Sequence, residues 1–88
     1  MANHASAQKR YRQSEKRRTR NQHVKTTVRT SIKRVRAAVQ RGDLKEAQSL
    51  LRTATKQIDH AVSHGVFHAR TGSRYVSRLS ASVAALQS

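Results

Sequence analysis

The side chains in this chain that could do chemistry are overwhelmingly lysine and arginine, and their spacing suits neutralising phosphate rather than making bonds. Residues 9–21 read KRYRQSEKRRTRN; seven of these thirteen are Lys or Arg, Glu15 is the one acid and Tyr11 the one apolar body. On a helix, Lys9, Arg10, Arg12, Lys16, Arg17 and Arg20 spread over about 160°, with Arg18 nearly opposite their centre. A membrane-surface or calmodulin-target helix would set an apolar face against the basic one, and this segment has none. Further on, Lys25, Arg29, Lys33 and Arg36, with Arg34 among them in sequence, continue the basic run, and Arg70, Arg74 and Arg78 stand at i, i+4 and i+8. Cations one turn apart suit phosphates along a backbone or across a groove, where contacts position a protein without reading bases.

Other chemistries are poorly supplied. Tyr11, Phe67 and Tyr75 are the only aromatic residues, too few to build stacking platforms for splayed single-stranded bases. There is no cysteine, hence no disulfide framework or thiolate metal site. No glycine-rich phosphate loop, clustered carboxylates or serine with a base and acid around it is present, so no catalytic residue is expected. His60 and His64 have a spacing that can hold a metal. They fall away from the apolar seam of their helix, however, and Gly65 breaks the register before His68. Exposed, phosphate-facing or turn-packing imidazoles are the simpler reading, and neither metal nor cofactor nor small-molecule substrate is expected.

The net charge of +15 is unevenly placed. Residues 1–41 hold thirteen Lys or Arg against Glu15, whereas residues 42–88 hold six against Asp43, Glu46 and Asp59. A chain this basic repels itself unless it meets a polyanion, which makes nucleic acid the leading partner. No run approaches the ~18 apolar residues of a membrane span, so no membrane partner is expected.

The elements that must position these cations follow from the apolar spacing. Val24, Val28, Ile32, Val35 and Val39 fall within an arc of about 80° on a helix, a narrow packing seam. Lys25, Arg29, Lys33 and Arg36 then share a flank about 100° away. Arg41 and Gly42 close that helix. Asp43 and Glu46 form a D-x-x-E capping box for a second helix of about 21 residues, with a seam of Leu44, Ala47, Leu51, Ala54, Ile58 and Ala61. Gly65 ends it, and Val66 is placed to fold back on its last turn. A third helix of about 19 residues starts near His68 or Ala69, with a seam of Ala69, Gly72, Val76, Leu79, Val83 and Leu86. Gly72 weakens this helix or admits a close neighbour. The expected fold is all-α, an antiparallel three-helix bundle within one domain spanning 1–88. Residues 24–41 already match the second and third helices in length. Residues 1–23 should therefore project beyond the bundle as a basic extension, and carrying the seam back through them meets Arg10, Ser14, Arg17 and Asn21. Such a segment should fray alone, since positive charge near a helix N-terminus opposes the macrodipole.

The segments SAQKRYRQSEKRRTRNQ, RTSIKRVRAAVQRGD and HGVFHARTGSRYVSRL, in this order and spacing, resemble the bacterial small-subunit ribosomal protein S-twenty family over nearly the entire chain. The resemblance implies a bundle with a long first helix lodged among RNA helices, binding small-subunit (16S) ribosomal RNA in assembly, in the cytoplasmic ribosome and beside other components of the 30S subunit. It implies RNA contacts at Lys9, Arg10, Lys16, Arg17, Arg18, Arg20, Arg29 and Lys33, and at His68, Arg74 and Arg78 after the second turn. The chain departs from the pattern at Ala69-Arg70 and Tyr75-Val76, where similar proteins read Lys-Asn and a basic pair, so the first helix should carry more of the binding. Two other readings remain open: a histone-like DNA compactor with the same charge, and a helical protein-binding or regulatory module whose basic surface is incidental.

Overall fold

The computed structural model describes residues 2–87, with side chains from residue 5 onward. It holds three helices, α1 (Ala2–Arg41), α2 (Leu44–Ser63) and α3 (Ala69–Gln87), and no strand among the described residues. All three pairs of helices touch. The molecule measures 67 × 21 × 14 Å because α1 has 40 residues, twice the length of α2 or α3, and so runs about 60 Å.

Both turns follow from their glycines. Gly42 has φ +74°, a conformation that costs other residues steric strain. It lets the Gly42 N–H donate to Val39 O at 3.0 Å and the Asp43 N–H to Ala38 O at 3.1 Å, satisfying two of the last carbonyls of α1. Gly65, also at +74°, repeats the pattern: its N–H donates to Val62 O and the Val66 N–H to Ala61 O. Val66 then packs on the core edge, as its place after the glycine leads one to expect. Asp43 caps α2, its Oδ1 accepting from the Glu46 N–H at 3.1 Å. The reciprocal half of the expected capping box is replaced: the Glu46 carboxylate lies 3.8 Å from the Arg41 guanidinium, joining the end of α1 to the start of α2.

The core is small and built of short side chains. Val28, Val35 and Ala38 of α1, Ala47, Ala54, Ile58 and Ala61 of α2, and Leu79 and Val83 of α3 are buried. Fully burying a side chain such as Ile58 stabilises by about 1.5–3 kcal/mol, and the four alanines let α2 come close to its neighbours. The buried face of α1 is turned from the expected seam: Ser31 and Ala38 are buried while Ile32 and Val39 are partly so, a rotation of about 40° on the wheel. Gln57 meets the turned face: its Oε1 accepts a hydrogen bond from the Ser31 hydroxyl across the α1–α2 interface, so the polar group is satisfied where it is buried. A second correction concerns α3. Ala69, counted in its seam, is exposed, and the buried face begins at Gly72. A Cβ on Gly72 would lie 2.6 Å from Val62 Cγ2 and 3.3 Å from Ile58 Cγ2. The glycine therefore admits neighbouring side chains, which sets how closely α3 lies on α2.

Candidate nucleic-acid interface

The interface begins where α1 leaves the core. Every side chain from residue 5 to residue 20 is exposed except the half-exposed Glu15, yet the helix is continuous with the packed half. Asn21 is the first half-buried residue at a seam position, and Val24 the first partly buried apolar one. Lys9, Arg10, Arg12, Lys16, Arg17 and Arg20 thus project into solvent with no protein surface beside them. Arg18 is the exception in surroundings: its guanidinium lies 3.7 Å from Glu15, in a pair more than half exposed on the arginine side, the kind that contributes about 0–1 kcal/mol. The hydroxyls of Thr19, Thr26, Thr27 and Thr30 donate to the carbonyl four residues earlier at 2.9–3.0 Å, so they are turned inward on their own helix and leave α1's outer faces to the cations.

Within the bundle, Lys25, Arg29, Lys33, Arg34 and Arg36 are all exposed. Arg34 stands about 140° from Arg29 around the helix, so α1 offers cations on two sides rather than one. Arg29, Lys33 and Arg36 line one edge of a groove of about 250 Å³, and Arg78 of α3 lines the other. Partly buried Ile32 and buried Leu79 form its floor. Two stripes that are separate in sequence therefore meet at one place. Arg74 and Arg70 follow α3 away from it; Arg74 Cζ lies 5.9 Å from the Tyr75 ring centre, and Tyr75 stands edge-on to Phe67 with centroids 5.8 Å apart.

His68 has a local role that sequence reasoning missed. Its Nδ1 accepts from the Arg70 N–H at 3.1 Å, and its carbonyl accepts from the Gly72 N–H. The imidazole thus caps α3 in the way Ser or Asp usually would. The signal was its place just before the helix, masked by a residue type rarely used as a cap. The His60 and His64 rings lie tilted at 48° to each other with centroids 4.2 Å apart, and no group of three or more potential metal ligands occurs among the described residues. No described helix is long and apolar enough to cross a membrane.

The sequence that builds this long basic helix and three-helix bundle is similar to that of known proteins. The family model "Ribosomal protein S20" matches residues 2–84. The chain belongs to the ribosomal protein S20 family. It is 54% identical over 79 residues to the small ribosomal subunit protein bS20 of Geotalea daltonii, covering 90% of this chain and 91% of the relative. The bS20 of Maridesulfovibrio salexigens is 49% identical over 83 residues, covering 94% and 95%, and that of Anaeromyxobacter dehalogenans 46% over 84 residues, covering 96% and 91%. The S20 match takes in the exposed arm as well as the bundle, so the arm is part of the family's pattern and not an appendage to it. Membership of this ribosomal protein family also bears out the reading of the chain as a structural protein and not an enzyme.

Proposed function

We propose that this S20-family chain binds small-subunit (16S) ribosomal RNA directly, through phosphate contacts, and helps that RNA fold and assemble into the 30S subunit of the bacterial cytoplasm. The observation that carries this reading is the arm: seven Lys or Arg between residues 9 and 20, on a helix with no protein packed against it. Residues 1–23 act as the RNA-binding extension and residues 24–88 as the bundle that anchors it, in one domain; Met1 and Ser88, the ends of that range, lie outside the described residues. The contacting side chains are Lys9, Arg10, Arg12, Lys16, Arg17, Arg18 and Arg20 in the arm. They continue through Lys25, Arg29, Lys33, Arg34 and Arg36, then His68, Arg70, Arg74 and Arg78. Cations on more than one side of α1 suit a crevice between RNA helices, which the protein clamps together as counterions are released. Ordering the arm on RNA costs part of the binding energy and lets a small protein cover a large RNA surface.

A DNA compactor of the same charge would accept any duplex. Competition separates the two: small-subunit rRNA should hold the protein against an equal nucleotide concentration of duplex DNA, and displacement by that DNA would sink the ribosomal reading.

A further inference from the structure

Two of the three aromatic side chains have places inside the fold. Phe67 and Tyr75 pack on the core edge and stand edge-on to each other, with centroids 5.8 Å apart. Tyr11 has no such place: it is the one large apolar side chain exposed among the described residues, at 68%. Single exposed apolar residues occur on many surfaces without a partner, but the position of this one on its helix is particular. At 100° per residue, Tyr11 stands about 180° from the centre of the arc that holds Lys9, Arg10, Arg12, Lys16, Arg17 and Arg20. Between residues 5 and 20, the side chains within about 60° of it are Ala7, Gln8, Ser14, Glu15 and Arg18. The only charges among these, Glu15 and Arg18, lie 3.7 Å apart and are opposite in sign. The arm thus has one cationic side and one side of zero net charge, and its only ring is on the second.

Arg10 and Arg12, the sequence neighbours of Tyr11, lie about 100° to either side of it, and Arg12 shares a shallow recess with Ala7, Gln8 and the ring. A partner that fits this side is anionic at its margins and flat and apolar at its centre. A nucleotide is both: its phosphate suits a guanidinium fork, and every base has a π-face that stacks on an aromatic side chain. One ring cannot build a platform for a splayed strand, but it can cap a single base that stands outside a duplex. We propose that Tyr11 stacks on an unpaired nucleobase of the bound RNA, as the arm's one contact that does not depend on charge. The proposal rests on the reading of the chain as an rRNA binder and adds a structure-selective contact to its phosphate contacts.

The full-length chain tests it with Tyr11→Ala, Tyr11→Phe and Arg12→Ala, their affinity for a small-subunit rRNA fragment being measured across salt. Alanine is the better helix former, so a weaker Tyr11→Ala does not reflect lost helix. That variant should bind about tenfold more weakly at every salt concentration, the share of one stacked base, with its slope of log affinity against log salt unchanged. Arg12→Ala should instead flatten the slope by about 0.7–0.9, the share of one phosphate. Tyr11→Phe keeps the ring and should bind like the native chain. On a fully base-paired RNA duplex, which offers no unpaired base, Tyr11→Ala should cost nothing. In a Tyr75→Phe background Tyr11 is the only tyrosine and the chain has no tryptophan, so tyrosine fluorescence at saturation should be quenched more by the fragment than by the duplex. Unchanged affinity of Tyr11→Ala, a flattened slope like that of Arg12→Ala, or a loss shared by Tyr11→Phe would overturn the proposal. Equal losses or equal quenching on fragment and duplex would overturn the unpaired base as occupant. A further variant, Lys16→Ala/Arg17→Ala/Arg20→Ala, separates the two levels of failure. If it loses rRNA affinity while Tyr11→Ala does not, the stacking contact alone falls; if neither loses any, the rRNA reading falls with it.

Discussion

The two halves of α1 share one continuous backbone and opposite surroundings. From Val24 to Val39 one face rests on α2 and α3, with Val28, Val35 and Ala38 buried. From residue 5 to residue 20 the same angular positions carry Arg10, Ser14 and Arg17, all exposed. The change falls at Asn21, whose Oδ1 is shielded from solvent without a hydrogen-bond partner. Most helical stability in a protein comes from packing an apolar face rather than from intrinsic propensity, and the arm has no such face. Packing on α2 and α3 therefore holds the second half of α1, and what would hold the first half must come from outside the chain. A segment that protein packing does not stabilise, and whose charge opposes folding alone, is what the proposed binding to a polyanion would order.

The largest effect that could break this contrast is removal of the arm. A chain beginning at Asn21 should keep its cooperative melt, because every buried residue among those described lies beyond that point. Its rRNA affinity should fall about a thousandfold at moderate salt, since interfaces of 6–10 phosphate contacts carry that order of salt-dependent affinity. Isothermal titration or filter binding measures it; unchanged affinity would refute the arm as the binding element. Circular dichroism of the full chain, free and RNA-bound, sharpens the same point. Helix content should rise on binding, and identical content in both states would remove the ordering step while leaving the partner in place.

A core substitution should act on the other half alone. Ile58→Ala leaves a void at a fully buried position and should cost about 2–5 kcal/mol of stability. For a domain of this size that is a large part of the total. Below its lowered melting temperature the variant should still bind rRNA, because Ile58 presents nothing to solvent. Loss of binding in the folded state would show that arm and bundle are not separable in function.

Gly72→Ala tests how tightly α3 is set on α2. Alanine gains about 1 kcal/mol of helix propensity over glycine, but its methyl would stand 2.6 Å from Val62 Cγ2, and overpacking costs about 1–3 kcal/mol. A net loss of about 1 kcal/mol is expected by chemical denaturation, and adding Val62→Ala should recover it. A Gly72→Ala variant more stable than the native chain would mean that α3 has room to move.

What could be read from the sequence divides along the same line. Gly42, Asp43 and Gly65 announced the turns because their effects are local: a backbone conformation, a cap and a stop signal each involve residues a few positions apart. The bare arm was legible for the same reason, as its composition leaves no apolar face at any rotation. The rotation of α1 toward Ser31 and Ala38 was not legible, because the group that satisfies buried Ser31 is Gln57, 26 residues away. Nor was the meeting of Arg78 with Arg29, Lys33 and Arg36: spacing places cations on one helix, while the packing of α1 on α3 decides which stripes share a groove. His68 was expected at the start of α3, as a turn-packing or phosphate-facing imidazole and, through family resemblance, as an RNA contact; its role as the cap of α3 needed coordinates.

The smallest effect concerns the turn that returns the chain from α1 to α2. Asp43 Oδ1 takes the Glu46 N–H, whereas the Glu46 carboxylate only approaches Arg41 at 3.8 Å, with both side chains about half exposed. Asp43→Ala should cost about 1 kcal/mol, the usual loss of a helix cap, and lower the melting temperature by about 4–8 °C in a domain of this size. Glu46→Ala removes an exposed ion pair and should cost no more than about 0.5 kcal/mol. Neither should alter rRNA affinity well below melting, because the turn lies at the opposite end of α1 from the arm. Equal destabilisation by the two would mean that the Glu46 side chain completes the capping box in solution, its carboxylate accepting from the Asp43 N–H in place of the Ala38 carbonyl that now does so.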